Sequence, residues 1–149
     1  MAKFGFAIVG CGNIAPFHAD AIGEIDNASV VAVCDNVQER ADKLAEKYNA
    51  TADTDYAEML KSDKINIVNI CLPSGLHEPM TVQAANAGKH VIVEKPLDIT
   101  LEKCDRMIKA CEDNNVKLAV VFPSRFKEAA LAVKEVLKSE RIGRVTLGD

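Results

Sequence analysis

Apolar runs of strand length alternate with helical patterns along nearly the whole chain. Five runs predict buried parallel strands, over residues 4–9, 30–34, 65–72, 91–93 and 118–122. A weaker signal near residues 50–51 leaves room for a brief edge strand. Repeated strand–helix units favour a parallel sheet with helices on both faces, joined by right-handed crossovers. The pattern therefore predicts an α/β domain with three layers, in which the sheet is doubly wound.

One predicted helix follows Thr100, which is a suitable N-cap. The apolar residues after it repeat at helical spacing: Leu101, Cys104, Ile108 and Cys111. Such spacing places them on one face of a helix, and this face is the one that packs onto a sheet. Cys104 and Cys111 are therefore predicted to be core residues.

Two more helices and a final strand are predicted from end signals and periodicity. The first of these helices carries Pro79 in its first turn and ends at Gly88, which is a common stop residue. The second covers the apolar positions that repeat between Phe126 and Leu137. Residues 144–149 have the pattern of a further strand that begins as the chain ends.

Size, composition and charge narrow the class of protein. The chain has 149 residues, 48% of them apolar and 27% charged, as is typical of one globular domain. Its net charge of -4 argues against nucleic-acid binding, which requires a basic face. No apolar run approaches the roughly 18–20 residues that cross a bilayer. The first strand starts too early to leave room for a signal peptide, so we expect a cytoplasmic protein without a membrane or nucleic-acid partner.

The cysteines and histidines indicate neither disulfides nor a metal site. The five cysteines are an odd number, and no pair has C-x-x-C spacing. A reducing compartment fits this usage. The three histidines lack the spacing of metal ligands, so no bound metal is predicted. Cys11 is interpreted as a small residue that fits a tight turn rather than as a redox group.

A glycine-rich loop, Gly-Cys-Gly-Asn-Ile-Ala over residues 10–15, follows the first strand and opens a helix from about Asn13. Gly10 permits a tight turn, and Gly12 has no side chain to hold a pyrophosphate away from the backbone. Ala15 is small enough for the helix to pack closely on the strand. Free N–H groups at the helix start then face the phosphates. This context predicts a Rossmann fold with strand order 3-2-1-4-5-6 that binds a nicotinamide dinucleotide.

Asp35 ends the second strand, 20 residues beyond Ala15. A carboxylate at this place accepts hydrogen bonds from the hydroxyls of the adenosine ribose. Because a carboxylate repels a 2′-phosphate, NAD is favoured over NADP. Arg40 leaves NADP open, since a nearby arginine can accommodate that phosphate.

The short strand over residues 91–93 delivers Glu94, Lys95 and Pro96 at its carboxyl end. Ligands bind at this edge of open α/β sheets, so the three residues are site candidates. Pro96 fixes the turn and permits a cis peptide bond that would aim the lysine. The alternative is a solvent-exposed ion pair at the end of a strand.

Taken together, these motifs closely resemble those of the Gfo/Idh/MocA oxidoreductase family, and the resemblance covers the whole chain. The shared features include Asp35 and His77, and they occur in the same order along the chain. The matching segments are residues 10–15, 72–74, 87–91, 94–96, 125–126 and 142–145. Their combined order is far more specific than any single motif.

The resemblance implies roles for individual residues. Lys95 would be the catalytic residue that assists proton transfer as a carbinol is oxidised. Glu94 would contact the nicotinamide ribose. The residues predicted to bind the cofactor are Gly10, Gly12, Asn13, Ile14, Asp35, Arg40, Leu72, Pro73, Ser74, His77, Glu94, Lys95 and Arg125. His77 remains open between a cofactor contact and a plain helix-start residue, and Arg125 between a site role and a salt bridge or a solvated position. His18 is interpreted as a surface residue of the first helix.

By the same resemblance, residues 1–122 are the NAD-binding domain, and residues 123–149 are its last helix and the start of a substrate domain. That domain brings the substrate pocket and further catalytic groups, so the chain alone is expected to bind NAD but to turn over little substrate. The expected function is oxidation of a sugar, cyclitol or sugar nucleotide by a full-length protein that forms a homo-oligomer. The alternative is a non-catalytic NAD(P)-binding or regulatory module, because fold does not fix function.

Overall fold

Six parallel strands form one sheet in the computed structural model, which describes residues 4–146. The strands are β1 (Phe4–Val9), β2 (Ala28–Cys34), β3 (Thr51–Asp53), β4 (Ile67–Ile70), β5 (His90–Val93) and β6 (Leu118–Val120). Their order in the sheet is β3-β2-β1-β4-β5-β6. The predicted Rossmann fold and its strand order are therefore confirmed, including the short edge strand that the sequence signalled weakly.

Within residues 4–146, the strands are connected by α1 (Ala15–Gly23), α2 (Gln38–Tyr48), α3 (Tyr56–Leu60), α4 (His77–Asn86) and α5 (Leu101–Asp113), and α6 (Glu128–Lys138) follows β6. Short 3₁₀ turns occupy Ser74–Leu76 and Pro123–Phe126. In the described part of the chain, no helix combines the length and the apolar character needed to cross a membrane.

The strand register brings four strand ends to one edge of the sheet. Val9 pairs with Cys34 on one side and with Ile70 on the other, and Ile70 pairs with Val93. The chain crosses from β1 toward β2 in one direction and from β4 toward β5 in the other. Ligands bind at such a switch point, beyond the carboxyl ends of the strands.

Each face of the sheet has its own apolar core. On one face, α1 and α2 pack against strand side chains such as Ile8 and Val33, which have no exposed surface. On the other face, α4 and α5 cover Ile70 and Val93, which are equally buried. Burial of such side chains contributes about 1.5–3 kcal/mol each. These two cores fix the sheet edge on which the candidate site lies.

The ends of α4 and α5 follow the sequence signals. Gly88 has φ +72°, and its N–H and that of Lys89 donate to Ala85 and Ala84, which closes α4. Thr100 caps α5, because its Oγ1 accepts a hydrogen bond from the Lys103 N–H. Both predicted end signals are confirmed.

The predicted core face of α5 is only partly correct. Cys111 is buried and Cys104 is half-buried, but Leu101 is 80% exposed and Ile108 is 43% exposed. Met107 is fully buried instead. Since each helical residue turns by about 100°, a face centred on Cys104, Met107 and Cys111 is rotated away from Ile108. The side of the helix was predicted correctly, but its centre was misplaced by one residue.

The last described segment stands apart from both cores. The predicted helix is confirmed as α6, yet none of its residues is buried, and Val133 is 59% exposed. Residues 144–146 have no regular secondary structure. The rest of the strand predicted over residues 144–149 lies outside the described residues.

Candidate functional site

The turn after β1 can be built only with glycine at position 10. Gly10 has φ +88°, and a Cβ there would lie 2.7 Å from the backbone oxygen of Cys71. Its N–H donates to the Cys34 oxygen at 2.8 Å, which ties the turn to the end of β2. At Gly12, by contrast, a Cβ would meet no atom within 4 Å. The loop is therefore tight at its first glycine and open at its second.

The start of α1 leaves backbone donors free. The helix begins at Ala15, two residues later than the sequence predicted. The N–H groups of Gly12, Asn13 and Ile14 have no hydrogen-bond partner among residues 4–146. Ala15 is fully buried, as the predicted close packing of helix and strand requires. Unpaired N–H groups at a helix start form a binding site for an anion.

Asp35 follows β2 and is 8% exposed. Its Oδ2 accepts a hydrogen bond from the Cys11 N–H at 2.8 Å, and its Oδ1 accepts one from the Val37 N–H at 2.9 Å. The carboxylate thus fixes the glycine loop as well as facing the edge of the sheet. Spacing alone does not reveal this second role, because the bond to Cys11 joins residues 24 positions apart.

The Asp35 cleft, a cavity of about 520 Å³, opens beside this carboxylate. Six of the predicted residues line it: Gly10, Gly12, Asp35, Arg40, Leu72 and Pro73. Sequence reasoning missed Asn36, Thr54, Tyr56, Leu76 and Met80, which also line it. The Tyr56 hydroxyl donates to the Met80 oxygen at 2.9 Å and joins α3 to α4 across the cleft. The short α3 had no clear sequence signal of its own.

Three cysteines lie around the glycine turn, and burial keeps their thiols protonated. Burial, then the charge of Asp35, raises the pKa of Cys11 to about 12. Burial also raises the pKa of Cys34 to about 11 and that of Cys71 to about 12. All five cysteines, which lie within residues 4–146, are free thiols.

We expect these three thiols to react slowly with Ellman's reagent in the folded chain. At pH 8, a pKa of about 12 leaves roughly one Cys11 in 10⁴ as the reactive thiolate. Half-buried Cys104 should react first, and raising the pH should speed the others. Stopped-flow absorbance on the native chain and on the Cys104→Ser control measures this. Three fast thiols in the folded control variant would contradict the burial described here.

Glu94 and Lys95 follow β5 at the same edge of the sheet. The Glu94 Oε1 lies 2.9 Å from the His18 Nε2, and its Oε2 accepts the Lys95 N–H at 3.1 Å. The Lys95 side chain is exposed, and its ammonium has no partner among the described residues. The Lys95–Pro96 peptide is cis, as the sequence permits. The exposed ion pair considered from sequence does not form between Glu94 and Lys95.

His77 does not line the Asp35 cleft, and its ring is enclosed by backbone, so its cofactor contact stays a prediction. The side chain is 1% exposed, and its Nε2 lies 2.9 Å from the Leu72 oxygen. Its Nδ1 lies 2.9 Å from the Pro96 oxygen. Both nitrogens are occupied by backbone, so the ring joins the loop after β4 to the loop that carries Lys95. His77 is the first residue of α4, which agrees with the alternative prediction.

Asp98 joins the loop after β5 to the start of α4, and it was not selected from the sequence. Its Oδ2 accepts the Glu78 N–H at 2.8 Å, and the Lys103 Nζ lies 3.4 Å from its Oδ1. Burial acts to raise the pKa of Asp98, but the hydrogen bonds from Ile99 and Glu78 and the charge of Lys103 outweigh it and hold the pKa below its usual range. The carboxylate therefore stays ionised at the start of α4.

The other predicted residues lie around the site without side-chain partners. Ser74 begins a 3₁₀ turn and is half-buried. Arg125 is exposed in the second 3₁₀ turn, and it forms no salt bridge with any of residues 4–146. Asn13 lines a groove with the basic side chains Arg40, Lys43 and Lys47. Ile14 lines a second cavity together with Glu94.

That cavity, the Glu94 cleft, has a volume of about 540 Å³. Its polar lining consists of His18, Asn69 and Glu94, and its apolar lining includes Ile14 and Pro123. The interpretation of His18 as a surface residue was wrong, because its side chain is only 11% exposed and is bonded to Glu94. Asn69, which is 3% exposed, was not selected from sequence.

Comparison with protein families identifies the chain over most of its length. Residues 4–122 match the family model described as "Oxidoreductase family, NAD-binding Rossmann fold". An inositol 2-dehydrogenase of Rhizobium meliloti is 33% identical over 142 residues, which are 95% of this chain and 43% of that protein. The chain thus spans less than half the length of such relatives.

Solved structures give the same result. The WlbA dehydrogenase of Bordetella pertussis, in complex with NADH and UDP-GlcNAcA, is 33% identical with a TM-score of 0.92, covering 96% of this chain and 42% of that one. A putative NADPH-dependent oxidoreductase of Desulfitobacterium hafniense is 27% identical with a TM-score of 0.91, covering 98% and 42%. The chain belongs to the Gfo/Idh/MocA oxidoreductase family and carries its NAD-binding Rossmann fold.

Proposed function

We propose that this chain is the cofactor-binding part of an NAD-dependent dehydrogenase that oxidises a carbinol of a sugar, cyclitol or sugar nucleotide. The observation that carries the proposal is that the loop over residues 10–15 contributes to two clefts, through Gly10 and Gly12 to one and through Ile14 to the other. Asp35 lines the first cleft, and Glu94, followed by Lys95, lines the second. A dinucleotide has two nucleoside halves joined by a pyrophosphate, and this arrangement offers a place for each part.

The residues present fit such a cofactor. The Asp35 cleft takes the adenosine half, with the carboxylate bound to the ribose hydroxyls and the side chains of Leu76 and Met80 among the walls. The free N–H groups at the start of α1 would hold the pyrophosphate, and Gly12, where a Cβ would meet no atom within 4 Å, would leave room for it. Ile14 and Glu94, which line the second cleft, would hold the nicotinamide half.

The bound NAD⁺ supplies the acceptor for the hydride that leaves the carbinol carbon. We assign the proton transfer to Lys95. Its amine is exposed at the end of β5 and has no partner among residues 4–146, so it is free to bind a substrate hydroxyl. The amine accepts the proton of the substrate hydroxyl as the hydride departs, and in the reverse direction its ammonium returns that proton to the carbonyl oxygen. Glu94, tied to the Lys95 N–H, orients the residue next to it.

The substrate class rests on the relatives and on the chemistry of Lys95. The similar proteins named above are an inositol dehydrogenase and a dehydrogenase bound to a nucleotide sugar. Both names describe polyhydroxylated rings with secondary alcohols. We infer that residues 1–122 bind the cofactor and that residues 123–149 lead toward the substrate-binding part, in agreement with the exposed apolar face of α6.

The first test is the affinity of this chain for NADH and NADPH. We expect the dissociation constant of NADH to be about one tenth of that of NADPH or lower, because Asp35 repels a 2′-phosphate. Asp35→Asn removes the negative charge and should narrow the ratio of the two dissociation constants, whereas the matched control Asp113→Asn, an exposed carboxylate on α5 that lines neither cleft, should leave both constants unchanged. Fluorescence titration of each variant measures the dissociation constants. Tighter binding of NADPH by the native chain would refute the preference, and the absence of any binding would refute the function.

A further inference from the structure

We propose that His18 and Asn69 are positioning residues that hold the Glu94 carboxylate in the orientation needed to bind the nicotinamide ribose. The proposal rests on the dinucleotide-binding function above and extends it to two residues that do not themselves contact the reacting atoms. His18 lies on α1, Asn69 on β4 and Glu94 after β5. Three separate elements therefore meet at one chain of hydrogen bonds.

Distances and burial define this chain of bonds. The Asn69 Nδ2 lies 3.2 Å from the His18 Nδ1, and the His18 Nε2 lies 2.9 Å from the Glu94 Oε1. The side chains of His18 and Glu94 are 11% and 14% exposed, and Asn69 is 3% exposed. Little solvent reaches these groups, so each hydrogen bond is stronger than it would be on the surface.

The donor and acceptor types fix the direction of the bonds. The Asn69 Nδ2 can only donate, so the His18 Nδ1 must accept and carries no proton. The proton of the neutral ring then lies on Nε2, which donates to the Glu94 Oε1. The Glu94 Oε2 accepts the Lys95 N–H at the same time. Both carboxylate oxygens are therefore held, one from α1 and one from the backbone of the residue proposed to move the proton.

The oxygen of the Asn69 amide takes no part in this chain of bonds. The Asn69 Oδ1 has no hydrogen-bond partner within the described residues. This oxygen is shielded from solvent, so Asn69 acts through its Nδ2, which holds the His18 ring. His18, Asn69 and Glu94 line one cleft of about 540 Å³, so this chain of bonds ends at a carboxylate that a ligand in the cleft can contact.

The test is a series of three ligands on the native chain and on His18→Leu. NADH and ADP-ribose contain the nicotinamide ribose, whereas ADP does not. If His18 acts through Glu94, His18→Leu should weaken NADH and ADP-ribose by about fivefold to tenfold, since one hydrogen bond is lost, and change ADP by less than about twofold. His18→Gln, whose amide can still donate to Glu94, should restore most of the affinity. Isothermal titration calorimetry gives all the constants.

Each other outcome overturns the proposal. An equal loss for all three ligands would mean that His18 supports the domain as a whole. An unchanged NADH affinity would mean that Glu94 needs no positioning. A loss with NADH alone would place His18 at the nicotinamide ring instead. If the native chain binds ADP-ribose but His18→Leu has no effect, only this proposal fails; if the native chain binds none of the ligands, the proposed function fails with it.

A second measurement tests whether His18 affects ligand binding through Glu94. In a Glu94→Gln background, His18→Leu should cost at most about a further twofold in ADP-ribose affinity, because neighbours that act together are not additive. Should His18→Leu not fold, ¹⁵N chemical shifts of the His18 ring in the native chain decide the question. A protonated Nε2 with an unprotonated Nδ1 at pH 8 supports the proposal, and the opposite tautomer overturns it.

Discussion

Gly10→Ala is expected to lower the free energy of unfolding by about 3–5 kcal/mol. Two independent causes act at this position. The backbone has φ +88°, which residues with a Cβ rarely adopt, and the new Cβ would lie 2.7 Å from the Cys71 backbone oxygen. That oxygen belongs to the residue directly after β4, so it can move only if the end of the strand moves. Urea denaturation followed by circular dichroism measures the loss.

Gly12→Ala is the matched control, since it changes the same residue type in the same loop. A Cβ at this position has no atom within 4 Å, so the free energy of unfolding should change by less than about 1 kcal/mol. The NADH affinity should nevertheless fall by roughly tenfold or more, because the methyl group occupies the space assigned to the pyrophosphate. A Gly12→Ala chain that binds NADH normally would displace the pyrophosphate from the loop, and a stable Gly10→Ala chain would contradict the close approach to Cys71.

The contrast between the two glycines shows which features of the loop can be predicted from the sequence. The strand-length apolar runs and the glycine motif predict the sheet order and the position of Asp35, because both depend on local pattern and on the fixed handedness of crossovers. The same motif predicts that both glycines matter. It does not reveal that one serves the fold and the other leaves room for a ligand, since the difference lies in the distance to Cys71, a residue about 60 positions further along the chain.

The surroundings of the two histidines His18 and His77 could not be predicted for a related reason. The ring nitrogens of His77 lie against backbone oxygens of Leu72 and Pro96, which no side-chain pattern encodes. His18 has its carboxylate partner 76 residues away, so periodicity along α1 could only place it on a helix. A polar residue such as Asn69 inside an apolar strand is the one local signal that was available, because buried amides require partners.

Lys95 is the residue on which the enzymatic part of the proposal depends. Lys95→Met keeps the length and apolar stem of the side chain but removes the amine. In a protein that joins these residues to a substrate-binding domain, we expect kcat for carbinol oxidation to fall about 10³-fold, the usual contribution of a general acid–base group. The NADH affinity of the chain itself should change by less than about threefold, because the ammonium has no partner within residues 4–146 whose loss would disturb the fold.

The control and the opposite outcome distinguish an enzyme from a non-catalytic binding module. Lys109→Met alters an exposed lysine that pairs only with Asp113 on α5, so it should leave kcat unchanged. Stopped-flow measurement of NADH formation with inositol and nucleotide-sugar alcohols, across pH, separates the chemical step from binding. If Lys95→Met and Lys109→Met behave alike, Lys95 is not the proton acceptor. If the native protein binds NADH tightly yet forms none from any of these alcohols, the two clefts serve a module that senses the dinucleotide rather than reacting with it.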